Sequence, residues 1–581
     1  FPSTDDVAAL ASKIALLRVA ELYLGGELGD GELEELLRSF AVKVSEIPHR
    51  SKLHKQLAGS VKKCLEDSRD SNNCSGVRGT VERFVRGRWW TPRLLYYWVL
   101  RAWEQMKACG DDRRLAVAAG LLLAVDIEFY DMLSADSELA GLLKSIGRRI
   151  RRLASGSENR ELLLDIAEAL EKPRLYYGIV RFDMDSMGKL LRGRITKVEE
   201  GRPLTPREYL EELLESHERV LEKLRQVSPG SIRFAEAREG VSFLRRYLLE
   251  GYGRRVGDEV LKRLAGLADP CGRVYATVFV SPSYHYAISN SIAYTLLRLG
   301  IVAGRLGGIP VVLGGDEGLI FVPAWLPKSL LPEGTLEGYM SEYGRATGFD
   351  DLWRVGAESP AVLVSLLVPR IMWASSAAKP GFHPVKRRGR GWGVLYRIPA
   401  LLGAGVSVAL RFAHYRDHLY AELALADELL EEGKRRGGCR FVVSMGRVQP
   451  ARVVEGLSTA AVLPIVVDGG TYWFRSAGML LAAAGLLAGL VDSGAASISL
   501  LRGVDRLVEG GAEALKGVVD YGLAEGVVEY LVERYVGGRY ADRVKELLMK
   551  VLYSSGFEGL LDVLRAGLYV LEAMRRSGEA G

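Results

Sequence analysis

The chain has 581 residues, of which 48% are hydrophobic and 26% are charged. This composition indicates a globular protein rather than a disordered one, with room for about three or four domains. The formal net charge of +6 at pH 7 permits an acidic partner such as RNA but does not require one.

Cysteine usage and hydropathy predict a cytoplasmic protein. The five cysteines show no CxxC or CxxH spacing, so we expect neither a zinc site nor a disulfide framework. The most apolar run, Ala477–Val491, is shorter than the ~20 residues that cross a bilayer and predicts a buried helix without membrane contact. The chain opens at Phe1 without a leader, which predicts no signal peptide and leaves room for residues upstream. Abundant Arg and Glu with few Asn and Gln are typical of a thermophile.

Residues 1–172 are predicted to form an N-terminal helical domain. Ser3 is the expected N-cap of the first helix, and apolar residues follow at helical spacing. The same spacing recurs in five segments: 31–45, 91–108, 112–132, 137–153 and 160–170. His49 and His54 lie in a segment rich in Lys and Arg, and without partners they are interpreted as surface residues rather than ligands.

Two kinds of side-chain cluster are compatible with RNA binding, and each has a simpler interpretation. The basic runs at 148–152 and 386–390 can follow phosphates, or they can be solvated faces. An aromatic group can stack on nucleobases, but at this spacing it more often builds a helical core or a subunit interface. Its members are Trp89, Trp90, Tyr96, Tyr97, Trp98 and Trp103.

A strand-like period begins at Leu175 and ends at Phe182, followed directly by Asp183 and Asp185. A second acidic pair lies in the sequence IPVVLGGDEGLIFVP, residues 309–323. Its two apolar runs flank Gly-Gly-Asp-Glu, which is the pattern of a β-hairpin with a tight glycine turn. Adjacent carboxylates at the tip of an apolar hairpin suggest a bound cation, although Gly and Asp are also common in ordinary solvated turns.

The elements around these acids predict an α+β fold, a ferredoxin-like palm with helical insertions. Residues 205–266 read as inserted helices, and Ser281 begins a long helix that leads into the hairpin. A helix at 359–376, a strand at 405–413, a helix at 417–436 and a strand at 440–445 complete the order β-α-β-β-α-β with an extra helix. The predicted palm domain covers 173–446, with helical insertions at about 195–270 and 325–400. Residues 447–581 are predicted to form a C-terminal helical bundle.

In this palm, Asp183 and Asp316 lie on neighbouring strands and can hold Mg²⁺ together with substrate phosphates. Lys434 and Arg435 follow the helix at 417–432, close to where its end returns to the sheet, and offer a cation for a triphosphate. Basic residues at helix ends are also common because they complement the helix dipole.

Five motifs, in the same order and over about 260 residues, resemble the large palm-domain subunit of type III CRISPR effector complexes, which we regard as Cmr-like here. They are FDMDSMGKLL at 182–191, SPSYHYAIS at 281–289, LGGDEGLIF at 313–321, VALRFAHYRDHLY at 408–420 and ADELLEEGKRRG at 426–437.

The resemblance implies an enzyme that converts ATP into cyclic oligoadenylate upon target RNA binding, with Mg²⁺ or Mn²⁺ as the cofactor. It implies catalytic or metal-binding roles for Asp316, Glu317, Asp183 and Asp185. It implies nucleotide-binding roles for Gly314, Gly315, Lys434 and Ser281, although Ser281 is also well explained as a helix cap. The implied partners are guide RNA, target RNA, an adjacent repeat-handle-binding subunit and a small helical subunit.

The chain departs from the family in two respects. Family members carry an HD nuclease, a first palm and a zinc-binding module ahead of this point, whereas this sequence has no His-Asp dipeptide. The resemblance therefore implies no DNA cleavage here and a second palm supplied from elsewhere. Glu317 also stands where relatives commonly have Asp; it is a similar oxygen ligand, but one methylene longer.

Two alternatives remain open. The chain can be a catalytically silent scaffold of the RNA-guided complex, or it can be a diguanylate cyclase, whose signature also begins with GGDE. Against the cyclase, Gly318 stands where that family has Phe, and apolar residues 309–312 replace its RxxD motif.

Overall fold

The computed structural model describes most of the chain, and it shows a mixed α+β protein that is mostly helical with one six-stranded sheet. Besides a few single residues, it describes residues 3–48, 51–66, 76–87, 92–185, 187–191, 282–332, 359–372, 382–387, 393–399, 405–446, 452–467, 470–503 and 521–576. The helices predicted within 205–266 lie outside the described residues. The domain boundaries at 172/173 and 446/447 stay predictions.

The described residues ahead of the first strand form ten α-helices, α1 to α10. They are Thr4–Ala8, Leu10–Leu24, Gly31–Glu46, Lys52–Glu66, Val77–Arg86, Arg93–Ala108, Asp112–Asp126, Phe129–Ala135, Ser137–Leu153 and Arg160–Glu171. Ser3 is the N-cap of α1, as predicted: its side chain accepts from the Asp6 backbone, and the Asp6 side chain accepts from Ser3 N–H at 3.0 Å. The helix predicted at 112–132 is divided in two between Asp126 and Phe129.

Seven α-helices follow in the described residues, α11 to α17. They are Met187–Leu191, Pro282–Arg305, Pro360–Met372, Leu419–Arg435, Met479–Asp492, Tyr521–Tyr535 and Gly538–Arg575. Residues 479–491 of α15 are buried, which confirms the buried helix predicted from the most apolar run. Helix α17 is kinked at Gly556, whose φ of 69° lies in the left-handed region that glycine adopts without steric cost.

Ten strands, β1 to β10, are present in the described residues. They are Tyr176–Met184, Ile309–Gly314, Glu317–Pro323, Phe382–Arg387, Gly393–Pro399, Val406–His414, Arg440–Met445, Arg452–Ser458, Ala460–Val467 and Gly470–Ala477. The six-stranded sheet has the order β2-β3-β1-β6-β7-β8. Strand β1 is antiparallel to both β3 and β6, and β6 is parallel to β7.

Helices cover both faces of this sheet, and residues of β1 alternate between them. Gly178 faces α13, because a Cβ at this position would lie 2.6 Å from the Cβ of Ala361. Helix α12 packs beside α13. Arg181 points to the opposite face, where its Nε atom lies 2.8 Å from Asp427 of α14. The carboxylates at the end of β1 therefore lie on the α14 side of the sheet.

Two predicted helical regions contain strands. Strands β8, β9 and β10 lie within the predicted C-terminal bundle, and the antiparallel pair β4 and β5 lies within a predicted helical insertion. The sequence of the C-terminal strands explains why they form. Val453 and Val454 are β-branched, the run Val462–Val467 is mostly β-branched, and the dipeptide Asp468-Gly469 is a strong hairpin signal. The high Ala, Leu and Gly content of the segments after them obscured this signal.

The expectation of no disulfide framework is wrong, because Cys64 and Cys74 form a disulfide and Cys439 is disulfide-bonded as well. Spacing alone gave no sign of it. Cys64 lies on the buried face of α4, and the chain returns to it just before α5. No helix in the described part of the chain combines the length and apolar character needed to cross a membrane.

Candidate active site

The turn between β2 and β3 holds Asp316 beside the end of β1. Gly315 and Asp316 are the two turn residues, closed by the strand pair Gly314 and Glu317. Gly315 has a φ of 62°, which glycine adopts without steric cost and which this kind of hairpin turn requires at its first position. The N–H of Met184 donates to the carbonyl of Asp316 at 3.1 Å. The turn is therefore fastened to the end of β1.

Close packing below the turn explains why Gly318 follows the acidic pair. A Cβ at this position would lie 2.2 Å from a ring atom of Phe182 and 2.9 Å from a side-chain carbon of Leu313. Real Cβ atoms do not approach other atoms so closely. The position that is Phe in diguanylate cyclases therefore has no room for a side chain in this fold.

Asp183 and Lys434 meet although 251 residues separate them. Strand β1 presents Asp183 next to the last turn of α14, and the Lys434 ammonium donates directly to its carboxylate. Both side chains are about three-quarters buried. Burial raises the pKa of Asp183, Lys434 lowers it, and the nearby carboxylates of Asp316 and Glu317 raise it further. Asp183, Asp316 and Lys434 thus form one electrostatic group.

The Lys434 ammonium stays charged in this position. Burial alone would lower its pKa, but the hydrogen bond and charge of Asp183 outweigh that effect, and the pKa of Lys434 is raised. Its neighbour Arg435 is directed elsewhere and pairs with Glu432 at 2.8 Å. Of the two basic residues proposed for a triphosphate, the structure brings only Lys434 to Asp183.

Asp185 is held by the protein itself. One carboxylate oxygen accepts from Cys439 N–H at 2.7 Å, and the other accepts from the Ser407 hydroxyl at 2.8 Å. Burial raises the pKa of Asp185, and these two donors oppose the rise. A Cβ at Gly438, whose φ is 74°, would lie 2.9 Å from the carboxyl carbon. Asp185 therefore fastens the tight turn after α14 to the end of β1.

Glu317 lies directly opposite Asp183 in the β1–β3 register. Its carboxylate accepts from the Arg181 guanidinium at 2.8 Å, and the same guanidinium donates to Asp427 on α14 at 2.8 Å. Sequence reasoning missed Arg181 and Asp427. Alternation on β1 could have found the first, because Arg181 and Asp183 share one face. The second lies within the ADELLEEGK motif.

The donor chemistry fits Mg²⁺ at Asp183 and Asp316. Both supply hard carboxylate oxygens, and Mg²⁺ usually takes one or two carboxylates and completes its shell with water and substrate phosphates. Asp183, Asp185 and Glu317 all accept hydrogen bonds from protein donors, so metal binding at Asp183 requires Lys434 to share that carboxylate or to release it. Across the described ranges, no group of three or more His, Cys, Asp or Glu side chains is suited to hold a metal ion. Metal binding by these residues stays a prediction.

The other residues predicted to bind nucleotide or RNA are Ser281, Gly314, Gly315 and the arginines of the run 148–152. Ser281 lies outside the described residues, whereas Gly314 and Gly315 are exposed at the hairpin tip. In the basic run 148–152, three of the four arginines pair with carboxylates: Arg149 with Asp30 and Glu32, Arg151 with Glu171, and Arg152 with Glu32. That run is mainly part of a structural ion-pair network.

The structure tests the interpretation of two side chains in the N-terminal helices, His54 and Trp98. His54 is not a simple surface residue, because its Nε2 atom pairs with Asp126 and its ring packs edge-on against Phe84 at 5.4 Å. Trp98 is buried and donates to the carbonyl of Leu330 at 3.0 Å. The helical-core interpretation of the aromatic group is therefore confirmed for Trp98.

Comparisons with known proteins found similar solved structures, two of which are described here. No protein-family model matches the chain, and no curated protein matches it. The chain is similar to one from a type III-B Cmr-β complex in the apo state, with a TM-score of 0.37 and 14% identity over 82% of this chain and 53% of that one. It is similar to one from Cmr-β bound to cognate target RNA, with a TM-score of 0.34 and 14% identity over 81% and 50%. This chain thus spans about half the length of those chains.

Proposed function

We propose that this chain is the large subunit of a type III CRISPR RNA-guided effector complex and that it converts ATP into cyclic oligoadenylate when target RNA binds. One observation carries the proposal: Asp183, Asp316 and Lys434 come from three different elements and meet at one edge of the sheet. Two carboxylates beside an ammonium are suited to nucleotidyl transfer, in which metal ions and a triphosphate must be held together. The five sequence motifs support the same conclusion.

The strands that present these residues support a palm. Strands β2, β3, β1 and β6 lie side by side, with β1 antiparallel to both of its neighbours. In chain order, α12 lies between β1 and β2, and α13 lies between β3 and β6. We propose that this β-α-β-β-α-β unit is a ferredoxin-like palm, with α14 and β7 added beyond it.

In this proposal each residue has a distinct task. Asp183 and Asp316 hold Mg²⁺ or Mn²⁺, which when bound activates the attacking hydroxyl and stabilises the leaving group. Lys434 binds the triphosphate as a compact point charge. Because the Lys434 ammonium already lies beside Asp183, it can exchange its hydrogen bond to Asp183 for one to a phosphate oxygen without leaving the site. The exposed glycines at 314 and 315 leave space for the nucleotide next to Asp316.

The reaction joins the 3′-hydroxyl oxygen of one ATP to the α-phosphorus of the next. The bond between that phosphorus and the oxygen bridging to the β-phosphate breaks, pyrophosphate leaves, and the hydroxyl proton is released. The proposed partners are guide RNA, target RNA, a second palm from elsewhere, an adjacent repeat-handle-binding subunit and a small helical subunit.

The test is product formation by the assembled complex. The complex, with guide and target RNA, is incubated with labelled ATP and Mg²⁺, and products are resolved by mass spectrometry. Asp316→Ala is expected to lower turnover by about a hundredfold or more, because it removes a group needed chiefly in the transition state. Asp542→Ala, an exposed carboxylate on α17, is the matched control and is expected to leave synthesis unchanged.

A second candidate is a catalytically silent scaffold. It is favoured by the pairing of Asp183 with Lys434 and of Glu317 with Arg181, which neutralises two of the four acids without a metal. Absence of oligoadenylate from a complex that demonstrably binds target RNA would establish the scaffold. Cyclic diguanylate made from GTP would instead establish the diguanylate cyclase alternative.

A further inference from the structure

We infer that Arg181 is a positioning residue that ties the turn carrying Asp316 to the helix carrying Lys434, and that Glu317 serves this tie rather than metal binding. The effect of the tie on ATP rests on the proposed function. The tie itself rests on geometry alone.

One guanidinium on β1 contacts two other elements, α14 and β3. Arg181 lies on β1, two residues before Asp183 and on the same face of the sheet. Its Nε atom donates to Asp427 Oδ1 on α14 at 2.8 Å, and one terminal nitrogen donates to Glu317 Oε2 on β3 at 2.8 Å. The other terminal nitrogen lies 3.4 Å from the carbonyl oxygen of Gly318. The planar fork of Arg suits such divergent contacts, and a Lys ammonium does not reproduce them.

The strand register explains why residue 317 is a glutamate. Glu317 is directly opposite Asp183, and Arg181 is opposite Leu319, so Glu317 and Arg181 are diagonal neighbours. Diagonal pairs are separated by about 7–8 Å and are bridged only by long side chains. Like charges directly opposite each other repel. Glu317 therefore turns toward Arg181, while Asp183 pairs with Lys434.

The same contacts hold α14 at two points. Asp427 and Lys434 are seven residues apart, about two helical turns, so they lie on one side of α14. Asp427 contacts Arg181, and Lys434 contacts Asp183, both on β1. Two ion pairs to β1 thus help to set the direction in which α14 presents Lys434, and Arg181 in one of them also contacts the hairpin.

The exposure of the two carboxylates that pair with Arg181 indicates that this tie positions side chains more than it stabilises the fold. The Glu317 and Asp427 side chains are 45% and 58% exposed, and ion pairs with such exposed partners contribute little to folding stability. We therefore expect Arg181 variants to fold normally and to change ATP use. A residue with a purely structural role would instead change the melting temperature.

The experiment compares variants in the assembled complex by binding of a non-hydrolysable ATP analogue, KM, kcat and Mg²⁺ dependence. Arg181→Gln and Glu317→Gln are each expected to weaken analogue binding and raise KM about two- to fivefold, the range that the loss of a partly exposed ion pair allows. Their double variant is expected to match Arg181→Gln alone, because both remove the same contact. Half-saturating Mg²⁺ is expected to change by less than about twofold.

Glu317→Asp gives the sharpest distinction. It keeps the carboxylate but shortens the side chain, so the tie predicts the same defect as in Glu317→Gln. If Glu317 were a metal ligand, Asp would sustain activity, whereas Gln would raise the Mg²⁺ requirement about tenfold or more independently of Arg181. That result would overturn the inference.

A second measurement does not depend on catalysis. In the full chain, Arg181→Gln is expected to speed backbone-amide deuterium exchange in both 309–323 and 419–435, by about threefold or more. Arg298→Gln, an exposed arginine on α12, is the matched control. If wild-type complex makes no oligoadenylate, the proposed function fails while this exchange result still tests the tie. Unchanged exchange in both segments would refute the tie.

Discussion

At the scale of single residues, Lys434 provides a prediction about the proposed nucleotide site. Its ammonium is charged, about three-quarters buried and held at Asp183. We predict that Lys434→Ala weakens ATP binding and slows turnover together, by about ten- to a hundredfold, because a charge-assisted phosphate contact is lost. Isothermal calorimetry and steady-state kinetics on the assembled complex measure the two effects.

Arg435→Ala is the control for this variant, because Arg435 is adjacent, exposed and paired with Glu432. It is expected to behave as wild type. Equal losses in both variants would mean that the end of α14 attracts phosphate through general positive charge, and that Lys434 has no individual role.

Asp5 provides a pH-dependent prediction at the same scale. It is buried where α1 meets α8, and its Oδ1 atom accepts from Tyr130 N–H at 3.1 Å. Burial raises the pKa of Asp5 to about 6, against the opposing charge of Lys13. The folded state thus binds this proton more tightly than the unfolded state does, because the pKa of an Asp carboxyl in the unfolded chain is about 3.9. The contribution of Asp5 to stability is complete below about pH 4 and is lost as the pH rises toward 6.

Asp5→Asn removes this titration and keeps an acceptor for Tyr130. We predict that the unfolding free energy of the variant, relative to wild type, increases by about 2–3 kcal/mol between pH 4 and pH 6.5 and stays level above that. Urea unfolding at several pH values measures it. A difference that does not vary with pH would show that Asp5 has an ordinary pKa in the fold.

Residue patterns predicted the acids and Lys434 but missed their protein partners. Asp183 and Asp316 were recognisable because each follows a strand or turn signal, which is local information. The salt bridges of Arg181 depend on strand register and on where α14 crosses the sheet, and its partner Asp427 is 246 residues away. Nothing local to either residue carries that information, so only the folded arrangement reveals it.

At the scale of elements, a buried ion pair fixes α14 on the sheet. Arg411 of β6 donates to both carboxylate oxygens of Glu422, at 2.7 and 3.2 Å, and the two side chains are only 1% and 3% exposed. Breaking such a pair leaves an uncompensated buried charge, which costs about 3–5 kcal/mol. We predict this loss for Glu422→Ala, measured by denaturant unfolding.

The double variant Arg411→Met/Glu422→Leu tests how much of this loss of stability comes from leaving Arg411 buried without its partner. Replacing both charges with apolar side chains of similar size is often neutral, so the double variant is expected to be more stable than Glu422→Ala alone. A double variant that is less stable than the single one would mean that Arg411 acts mainly through its other acceptors, the Ser444 hydroxyl and the carbonyl of Gly446.

Elements whose apolar residues repeat with one clear period, helical or strand-like, were predicted well. Strands next to a segment of helical composition were not. The strand 440–445 has the predicted bounds, and the helix expected at 417–436 is present at 419–435. By contrast, the hairpin signal at Asp468-Gly469 was outweighed by the long Ala/Leu/Gly-rich run that follows residue 477. Composition summed over a long window hides strands that are only seven or eight residues long.

At the scale of the whole molecule, three distant parts of the chain meet at the start of β1. Arg174 donates to the carbonyl of Arg575 at 3.2 Å, so the end of α17 closes on β1. The Thr4 hydroxyl donates to the carbonyl of Tyr415 at 3.1 Å, and the Tyr415 ring stacks on Tyr130 at 4.2 Å. The N-terminal helices and the C-terminal helix therefore support one end of the central strand, while Asp183 lies at its other end.

This arrangement leads to the last prediction, which concerns ATP binding by the chain alone. At the open end of β1, Asp183 and Lys434 remain about one-quarter exposed, and Glu317 about half exposed. Mg²⁺ held by one or two carboxylates needs phosphates and other ligands to complete its shell, and a nucleotide on an open surface keeps most of its hydration. We therefore expect the isolated chain to bind ATP weakly, with a Kd near or above about 1 mM, and to turn it over poorly. Calorimetry on the isolated chain, compared with the assembled complex, measures the difference. Turnover by the isolated chain at the rate of the complex, independent of its concentration, would mean that these residues form a complete site and that no second palm is needed.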